Sequence, residues 1–365
     1  MNPHTTTNNN NQNTLASGKG LFGVGVKIHI LFPFQEGPKG GGGNQFLKAL
    51  KYNWQSFGAY EDSIEKADVI LFNSHHCLKQ VFSAKKKFPQ KIFIHRIDGP
   101  LRTYRKKEAF LDKLIFGVNS FVADGIVWQS KWSQAENKKI FRYKCQNEIV
   151  IYNAPNEQIF NKKNKTALNP KEKIKLVAVS WSNSALKGFD IYKFLDDNLN
   201  FKKYQMAFIG RSPVKFKNIK MIEPVEQEKL AGILKQNDIF VTASKIESCS
   251  NALIEALSCG LPCLAFNSSS NPEIIGAGGE LFESGEDLLK KIDKVASNYL
   301  SYQKNLPIFS LNKVSQDYFK FVNKIFEDAK SGFYTTREVG VQARMSFALT
   351  NFFAKINRIL NKFKK

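Results

Sequence analysis

Short apolar runs alternate along the chain with segments in which apolar residues recur at helical spacing. The clearest apolar runs are residues 26–34, 67–73, 91–98 and 238–244. Continuous apolar runs of this kind are typical of strands that are buried on both faces. Strands that alternate with helices form parallel sheets covered by helices. The pattern therefore predicts an α/β protein.

Residues 241–262, VTASKIESCSNALIEALSCGLP, predict a loop followed by a short helix. Ser248 or Ser250 can cap this helix at its N-terminus. Gly260 suits a left-handed position after the helix, and Pro262 prevents its continuation. The N-terminus therefore faces the loop, where a partial positive charge and free N–H groups suit a pyrophosphate.

Two glutamates, Glu247 and Glu255, lie eight residues apart in this segment. Eight residues of helix rise by roughly 12 Å, which is similar to the span from ribose to hexose in a nucleotide-sugar. Carboxylates accept hydrogen bonds from vicinal hydroxyls, so one glutamate can hold the sugar and the other the ribose. The alternative is that both are solvated charges on a helix surface.

The same segment resembles the E-x7-E motif of retaining glycosyltransferases of the GT-B fold, in particular the large family 4. Ala256, Gly260 and Pro262 match the family pattern, whereas Ser-Cys-Ser at 248–250 replaces its Gly-Phe-Gly. The resemblance implies two Rossmann-like domains whose parallel sheets face each other across a cleft. It also implies that Glu247 holds the transferred sugar and Glu255 the ribose.

Around the two glutamates, the resemblance implies that the donor is bound by the loop and the helix N-terminus, at Ser248, Cys249, Ser250 and Asn251. These groups would receive negative charge as the phosphate leaves. Residues 271–274 and 276–282 resemble the turn and loop that follow the motif in the family.

Residues 175–190 resemble the family segment that contacts the donor diphosphate with an arginine and a lysine. Lys187 is present, but Trp181 or Ser182 occupies the arginine position. Arg211 either supplies part of the missing charge or is a surface arginine. No metal-ligand pattern replaces this charge, and the resemblance implies no metal requirement and no cofactor. The adjacent Asp196 and Asp197 are expected on a solvated helix face.

The first half of the chain predicts the complementary domain. A glycine run after the first strand opens a helix, and the resemblance places Gly42 and Gly43 near the donor phosphates and the acceptor; a flexible turn is the alternative. Asp98 follows a predicted strand and is the expected acceptor-side contact, because ligands collect at the carboxyl ends of parallel strands. His95, inside that strand, is expected to be an interior histidine.

Three arginines near Asp98, Arg96, Arg102 and Arg105, are candidate anchors for an anionic acceptor. Asn153 falls where the family has an Asn-Gly pair before the hinge, and it is included among the expected donor-binding residues.

Length and composition predict the domain boundaries. A chain of 365 residues with 42% hydrophobic residues suits two Rossmann-like domains, at 25–165 and 172–330, joined by a polar linker. Residues 1–24 are rich in Asn and Thr and are expected to be disordered. Residues 339–365 predict a basic amphipathic helix.

The net charge of +22 suits anionic partners, but no nucleic-acid-binding motif accompanies it, so nucleic acid is not an expected partner. The C-terminal helix either lies on an anionic membrane surface or packs across the two domains. Five cysteines without a C-x-x-C pair, and no signal or membrane-spanning segment, predict a cytoplasmic protein, peripheral to the membrane in the first case.

These features predict a retaining, hexosyltransferase-like enzyme that moves a sugar from a nucleotide-diphosphate sugar to a glycan or lipid-linked acceptor. Cell-surface polysaccharide or glycolipid synthesis is the expected context. The alternatives are a nucleotide-sugar epimerase and a non-catalytic GT-B-like binding or scaffold protein at anionic surfaces, the latter motivated by the missing arginine.

Overall fold

The computed structural model describes residues 25–36 and 41–363. The predicted disordered segment 1–24 lies outside the described residues, as does 37–40 in the glycine-rich loop. Of the last helix, the side chains beyond residue 352 are described only at Ile356.

The described residues form two parallel sheets. The first comprises β1 (Ile28–Leu31), β2 (Val69–Asn73), β3 (Ile92–Ile97), β4 (Gly125–Trp128) and β5 (Glu148–Val150). The second comprises β6 (Ile174–Ser180), β7 (Tyr204–Gly210), β8 (Lys220–Ile222), β9 (Ile239–Thr242), β10 (Cys263–Phe266) and β11 (Gly279–Phe282). The α/β expectation and the two-sheet arrangement are confirmed.

Helices connect and cover these strands. In the first half of the chain they are α1 (Gly42–Ser56), α2 (Leu78–Lys87), α3 (Leu101–Tyr104), α4 (Phe110–Val122) and α5 (Lys131–Ile140). They continue with α6 (Phe189–Asn198), α7 (Gln227–Lys235), α8 (Asn251–Ser258), α9 (Asn271–Ile275), α10 (Gly285–Ser297) and α11 (Tyr299–Lys304). Two longer helices end the chain, α12 (Leu311–Lys330) and α13 (Val341–Phe363).

The first sheet has the order β1-β2-β3-β4-β5. Tyr60 forms a parallel bridge to Ile28, whose N–H donates to Ala59 O and whose carbonyl accepts from Glu61 N. This bridge lies on the edge of β1 that faces away from β2. The chain therefore leaves β1 to one side through α1 and returns to β2 on the other side. Such a reversal is where open parallel sheets bind ligands, and the glycine-rich loop follows β1 at this point.

The second sheet has the order β11-β10-β9-β6-β7-β8. Its strand order reverses between β6 and β9, which is the arrangement of a doubly wound nucleotide-binding sheet. The segments that follow these two strands begin at Trp181 and Ala243. Both predicted donor segments, 175–190 and 241–262, therefore pass through the switch point of the second sheet.

Helix α12 lies inside the boundaries predicted for the second domain, 172–330, but it packs on the first. Its side chains Tyr318, Val322 and Ile325 are fully buried in the core that contains α1 and one face of the first sheet. Trp54 in α1 donates a hydrogen bond from Nε1 to Ser315 O at 3.3 Å. The apolar residues of α12 recur at helical spacing, but this periodicity does not identify which sheet the helix covers.

The segment between α12 and α13 is anchored to the first domain by a buried ion pair. Lys85 Nζ and Asp124 Oδ2 are 3.0 Å apart, and neither side chain is exposed. The other carboxylate oxygen of Asp124 accepts hydrogen bonds from Tyr334 Oη at 3.0 Å and from Arg337 N at 2.9 Å. These contacts direct α13 along the outside of the first domain.

In the part of α13 that is described, the helix contacts the first domain through α4 and α2. Ala343 is buried, and Phe347 stacks on Phe82 with ring centroids 4.2 Å apart. The opposite side exposes Val341, Met345 and Leu349. Within the described residues, no helix is both long enough and apolar enough to cross a membrane.

Asp196 corrects one expectation. Its side chain is fully buried, where a solvated position was predicted. It accepts hydrogen bonds from the backbone N–H groups of Lys217, Asn218 and Ile219 at 2.7–2.9 Å. Burial alone raises the pKa of this carboxyl, but these three donors outweigh it and lower the pKa. Asp196 thus fixes the loop before β8.

Candidate functional site

A cavity of about 470 Å³ lies between the two domains, at the switch points of both sheets. The predicted catalytic and donor-binding residues line it, with the exception of Arg211: Gly42, Gly43, Asp98, Asn153, Lys187, Glu247, Ser248, Cys249, Ser250, Asn251 and Glu255. A neighbouring cavity of about 300 Å³ shares Gly42, Asn251 and Glu255 with it. The structure therefore brings residues from distant parts of the sequence to one cleft.

Lys187 is positioned by the turn between β6 and α6. Gly188 has φ +74°, a left-handed conformation that favours glycine, and a Cβ there would overlap the carbonyl of Ala243. The turn is also tied to the loop after β9, because Lys245 N donates to Leu186 O at 2.8 Å. Lys187 consequently lies beside the loop that carries Glu247.

Glu247 and Lys187 form an ion pair in the cleft, with Oε1 and Nζ 2.5 Å apart. The side chains are 20% and 26% exposed. The backbone of Glu247 is held by Ser269, whose Oγ accepts from Glu247 N at 2.9 Å. The predicted sugar-binding carboxylate and the predicted diphosphate-binding cation are therefore direct neighbours.

Helix α8 begins where the motif predicts. Ser250 is the N-cap, and its hydroxyl accepts from Leu253 N at 3.4 Å. Ser248, the other candidate cap, reaches the first domain: its Oγ accepts from Gly99 N at 2.6 Å and shares a hydrogen bond with Tyr104 Oη. Ser248 is therefore an interdomain contact and not a cap.

Glu255 points from α8 toward both cavities. In the described part of the chain its carboxyl group has neither a hydrogen-bond partner nor an ion-pair partner. Burial without such a partner raises the pKa of Glu255 to about 8. The group is consequently ready to bind hydroxyl groups.

The N-terminus of α1 approaches the N-terminus of α8 across the cleft. Gly42 lies so close to Asn251 that a Cβ at residue 42 would overlap the Asn251 amide. Asn153 joins the same contact by donating from Nδ2 to Asn251 Oδ1 at 2.9 Å. Two helix N-termini, one from each domain, therefore place free N–H groups at one side of the cavity.

Arg96 is a part of the site that sequence analysis misplaced. It was a candidate anchor for an acceptor, but its side chain is fully buried beneath the cleft. Its guanidinium donates to Asn73 Oδ1 at 2.5 Å and to Asn153 Oδ1 at 2.6 Å. It also lies 3.6 Å from Asp98 Oδ1. A charged residue inside an apolar strand was the available signal, because a buried charge requires dedicated partners.

Asp98 lies on the first-domain wall of the cavity, with a side chain that is 30% exposed. Burial raises the pKa of Asp98, although the nearby Arg96 guanidinium opposes the shift. His95, three residues earlier in β3, is fully buried and contacts Ser74 O and Asn119 Nδ2 at 3.0 and 3.1 Å. Burial lowers the pKa of His95 to about 3, as suits an interior histidine.

The other two candidate acceptor anchors, Arg102 and Arg105, lie in different places. Arg102 pairs with the buried Asp112 at 2.8 Å and does not line the cavity. Arg105 lines the cavity and is 59% exposed, with Glu108 at 3.1 Å. Arg211 is exposed and lines neither cavity.

Glu273 is a contact between the domains whose role the sequence analysis did not identify. Its carboxylate accepts from Lys131 N at 2.8 Å and from Trp132 N at 2.7 Å, at the start of α5 in the first domain. It also accepts from Tyr152 Oη at 2.7 Å. A carboxylate at a helix N-terminus is favourable, so Glu273 holds the second domain against the first.

Residues 215–306 match the model of the family described as glycosyl transferases group 1. Comparison with curated proteins finds no matching relative. Among solved structures, sucrose-phosphate synthase from Thermosynechococcus elongatus has a TM-score of 0.61 at 13% identity, with 84% of this chain and 99% of that chain covered.

Two further solved structures share the architecture. HepE from Anabaena, solved in complex with UDP-glucose, has a TM-score of 0.58 at 13% identity and covers 84% of this chain and 99% of its own. A glycosyltransferase from Rickettsia africae has a TM-score of 0.59 at 14% identity, with coverages of 83% and 99%. The resemblance that the E-x7-E segment indicates is therefore confirmed: the chain has the GT-B fold, and its residues 215–306 match the glycosyl transferases group 1 family.

Proposed function

We propose that this protein is a retaining glycosyltransferase that moves a sugar from a nucleotide-diphosphate sugar to a glycan or lipid-linked acceptor. The observation that carries the proposal is the cleft itself. Glu247, Lys187, the N-terminus of α8 and Glu255 line one cavity between two domains at their switch points. A nucleotide-sugar needs hydroxyl acceptors at both ends and positive charge between them.

In this proposal the diphosphate lies at the N-terminus of α8, near Asn251, where N–H groups and the helix dipole favour an anion. Glu255 accepts hydrogen bonds from the ribose hydroxyls, and Glu247 accepts them from the sugar. Lys187 neutralises the diphosphate. Relatives of this fold are known with such ligands, since HepE was solved with UDP-glucose and the catalytic domain of Arabidopsis starch synthase IV with ADP.

The missing arginine of the family pattern leaves Lys187 as the principal side-chain cation at the proposed diphosphate position. The N-terminus of α1 contributes further positive potential at this position. The N-terminus of α1 lies against that of α8, because residue 42 is a glycine. We infer that the N–H groups of Gly42 and Gly43 substitute in part for the arginine.

The proposed chemistry needs no nucleophile from the protein. The bond between the anomeric carbon and the diphosphate oxygen breaks as the acceptor hydroxyl attacks from the same face, and the hydroxyl proton passes to the departing phosphate. Lys187 and the α8 N–H groups stabilise the charge that develops on the phosphate. Glu247 positions the sugar and forms no covalent intermediate, in contrast to a two-carboxylate glycosidase.

The acceptor would enter from the first domain. Asp98 and Tyr104 provide polar groups for an acceptor hydroxyl, and Arg105 is an exposed cation at the same wall. A cation at this place suits an acceptor that carries a phosphate or carboxylate, as lipid-linked glycans do. We propose cell-surface polysaccharide or glycolipid synthesis in the cytoplasm as the setting.

The test is hydrolysis and transfer with a panel of nucleotide-sugars. We expect one donor to be turned over, and we expect Glu255→Ala and Lys187→Ala each to lower kcat/KM for that donor by about 10²-fold or more. Lys245→Ala is the matched control, because Lys245 lies on the neighbouring loop and pairs with Asp190 outside the cavity. Absence of binding to any donor would refute the transferase assignment.

We further propose that α13 contacts an anionic membrane surface. Val341, Met345 and Leu349 recur at intervals of one turn and are 69%, 62% and 57% exposed, on a protein of net charge +22. We expect sedimentation with vesicles that contain an anionic phospholipid, weaker binding in high salt and weaker binding of Met345→Gln/Leu349→Gln. Equal sedimentation with zwitterionic vesicles would contradict the charge component of this proposal.

A further inference from the structure

The ion pair between Lys187 and Glu247 has a consequence for what the cleft can bind. Each side chain uses the other as its charged partner, and neither makes a second ion pair in the described part of the chain. A diphosphate that approaches Lys187 therefore has to compete with a carboxylate that is already 2.5 Å from the ammonium group.

The pair belongs to one domain, so opening or closing of the cleft does not break it. Lys245 N donates to Leu186 O at 2.8 Å, which ties together the two loops that carry the pair. Ser269 Oγ accepts from Glu247 N, and Ser270 N donates to Glu247 O at 3.2 Å. The backbone thus holds both side chains within reach of each other.

We propose that Glu247 is a specificity-determining residue, because it occupies the ammonium group of Lys187 until a ligand supplies both a diphosphate and sugar hydroxyls. The identity of that ligand rests on the proposed function. A ligand with hydroxyl groups donates hydrogen bonds to the carboxylate that it displaces from Lys187. The cleft therefore favours a sugar diphosphate over a bare diphosphate.

A bare diphosphate is disfavoured for two physical reasons. It leaves the Glu247 carboxylate, only 20% exposed, without its cation. It also places its own negative charge beside that carboxylate, and like charges at short distance repel. The same competition weakens binding of the nucleoside diphosphate that remains after transfer, which favours release of this product.

Inorganic pyrophosphate is the probe that isolates this effect, since it carries the diphosphate without sugar or nucleoside. Its affinity is measured by calorimetry for the unmodified protein, Glu247→Gln, Lys187→Ala and the double variant. We expect Glu247→Gln to bind pyrophosphate about three- to tenfold more tightly, because the amide releases the ammonium group. We expect Lys187→Ala to bind it more weakly than the unmodified protein.

Asp190→Asn is the matched control. Asp190 also pairs with a lysine, Lys245, at 2.7 Å, but its side chain is 60% exposed and lies outside the cavity. This variant removes the same unit of negative charge from the same domain. We expect its effect on pyrophosphate affinity to be less than about twofold.

The double variant distinguishes the effect of the Lys187–Glu247 ion pair from the effect of removing one negative charge. In the Lys187→Ala background, we expect the gain from Glu247→Gln to shrink to the part that relief of like-charge repulsion supplies. A gain that persists undiminished there, no gain at all from Glu247→Gln, or no pyrophosphate binding by any folded variant would overturn the inference.

Donor turnover distinguishes this inference from the proposed function. If the unmodified protein turns over a nucleotide-sugar but Glu247→Gln shows no gain in pyrophosphate affinity, the inference alone fails. If the gain is found in a protein that turns over no nucleotide-sugar, the ion-pair competition stands and the transferase assignment alone fails.

Discussion

At the scale of single residues, burial sets the chemistry of Glu255. The fold places this carboxyl in the walls of two cavities with no cation from the described residues beside it, and desolvation raises its pKa to about 8 from the ordinary value of 4.5. Glu280 shows the opposite balance. Burial acts to raise its pKa, but Lys291 at 2.9 Å and Lys294 at 2.6 Å outweigh burial and lower the pKa to about 2.

Glu255 should make the protein less stable as the pH rises. In the unfolded chain the group ionises near pH 4.5, whereas in the folded protein it keeps its proton up to about pH 8. Between these values the folded state binds more protons, so the free energy of unfolding falls as pH increases. We expect Glu255→Gln to raise Tm at pH 8 by a few degrees and to have little effect at pH 5.

Glu280→Gln provides the control of opposite sign for this measurement. Its carboxylate stabilises the folded state above pH 4.5, and that contribution is lost as pH falls toward about 2. We expect this variant to lower Tm at pH 8. Thermal unfolding of both variants is measured at pH 5 and at pH 8. If the gain in Tm of Glu255→Gln over the unmodified protein is not larger at pH 8 than at pH 5, the explanation is contradicted.

At the scale of elements, the site depends on how closely two helix N-termini approach each other. Helix α8 is capped by Ser250, and helix α1 begins at Gly42 without a side-chain cap. A short N-terminal segment without side chains allows backbone N–H groups to reach a ligand or another helix. The glycine at position 42 therefore allows α1 to approach Asn251 without displacing its side chain.

We expect Gly42→Ala to separate α1 from α8 and to lower kcat/KM for the donor by about tenfold, because the added Cβ would overlap the Asn251 amide. Gly43→Ala adds the same methyl group one residue later, where no atom of the described residues lies within 4 Å of it. We expect Gly43→Ala to lower kcat/KM for the donor much less than Gly42→Ala does. Equal kinetic effects of the two substitutions would show that the approach of the helices does not matter.

At the scale of the whole molecule, polar contacts hold the two domains together around the cleft. Ser248 contacts Gly99 and Tyr104, and Glu273 caps helix α5 of the opposite domain. Helix α12 also crosses back and covers the first sheet. These contacts determine how far the two walls of the cavity lie from each other.

We expect Glu273→Ala to loosen the domain arrangement, since it removes three hydrogen bonds to a carboxylate. Such bonds are worth about 1.5–3 kcal/mol each, so kcat/KM should fall by at least about tenfold. Small-angle scattering should show a larger radius of gyration. Glu283→Ala is the control, because the exposed Glu283 side chain accepts a hydrogen bond from Asn267 Nδ2 within its own domain.

The local pattern determined much of this fold. Continuous apolar runs predicted buried parallel strands, and the Ser, Gly and Pro positions around 248–262 predicted the ends of α8. These features depend on local interactions, such as caps and turns, that sequence periodicity reports directly. The spacing of Glu247 and Glu255 was compared with the span of a nucleotide-sugar, and both residues line the cavity.

Only the tertiary structure decided the partners of the polar residues. Arg96 and Asp196 are buried and hydrogen-bonded, Ser248 bridges the domains, and α12 covers the first sheet instead of the second. In each case the partner lies far away in sequence, and amphipathicity or charge does not specify which surface a side chain meets. The ion pair of Lys187 with Glu247, 60 residues apart, arises in the same way, because two loops meet at the switch point of one sheet.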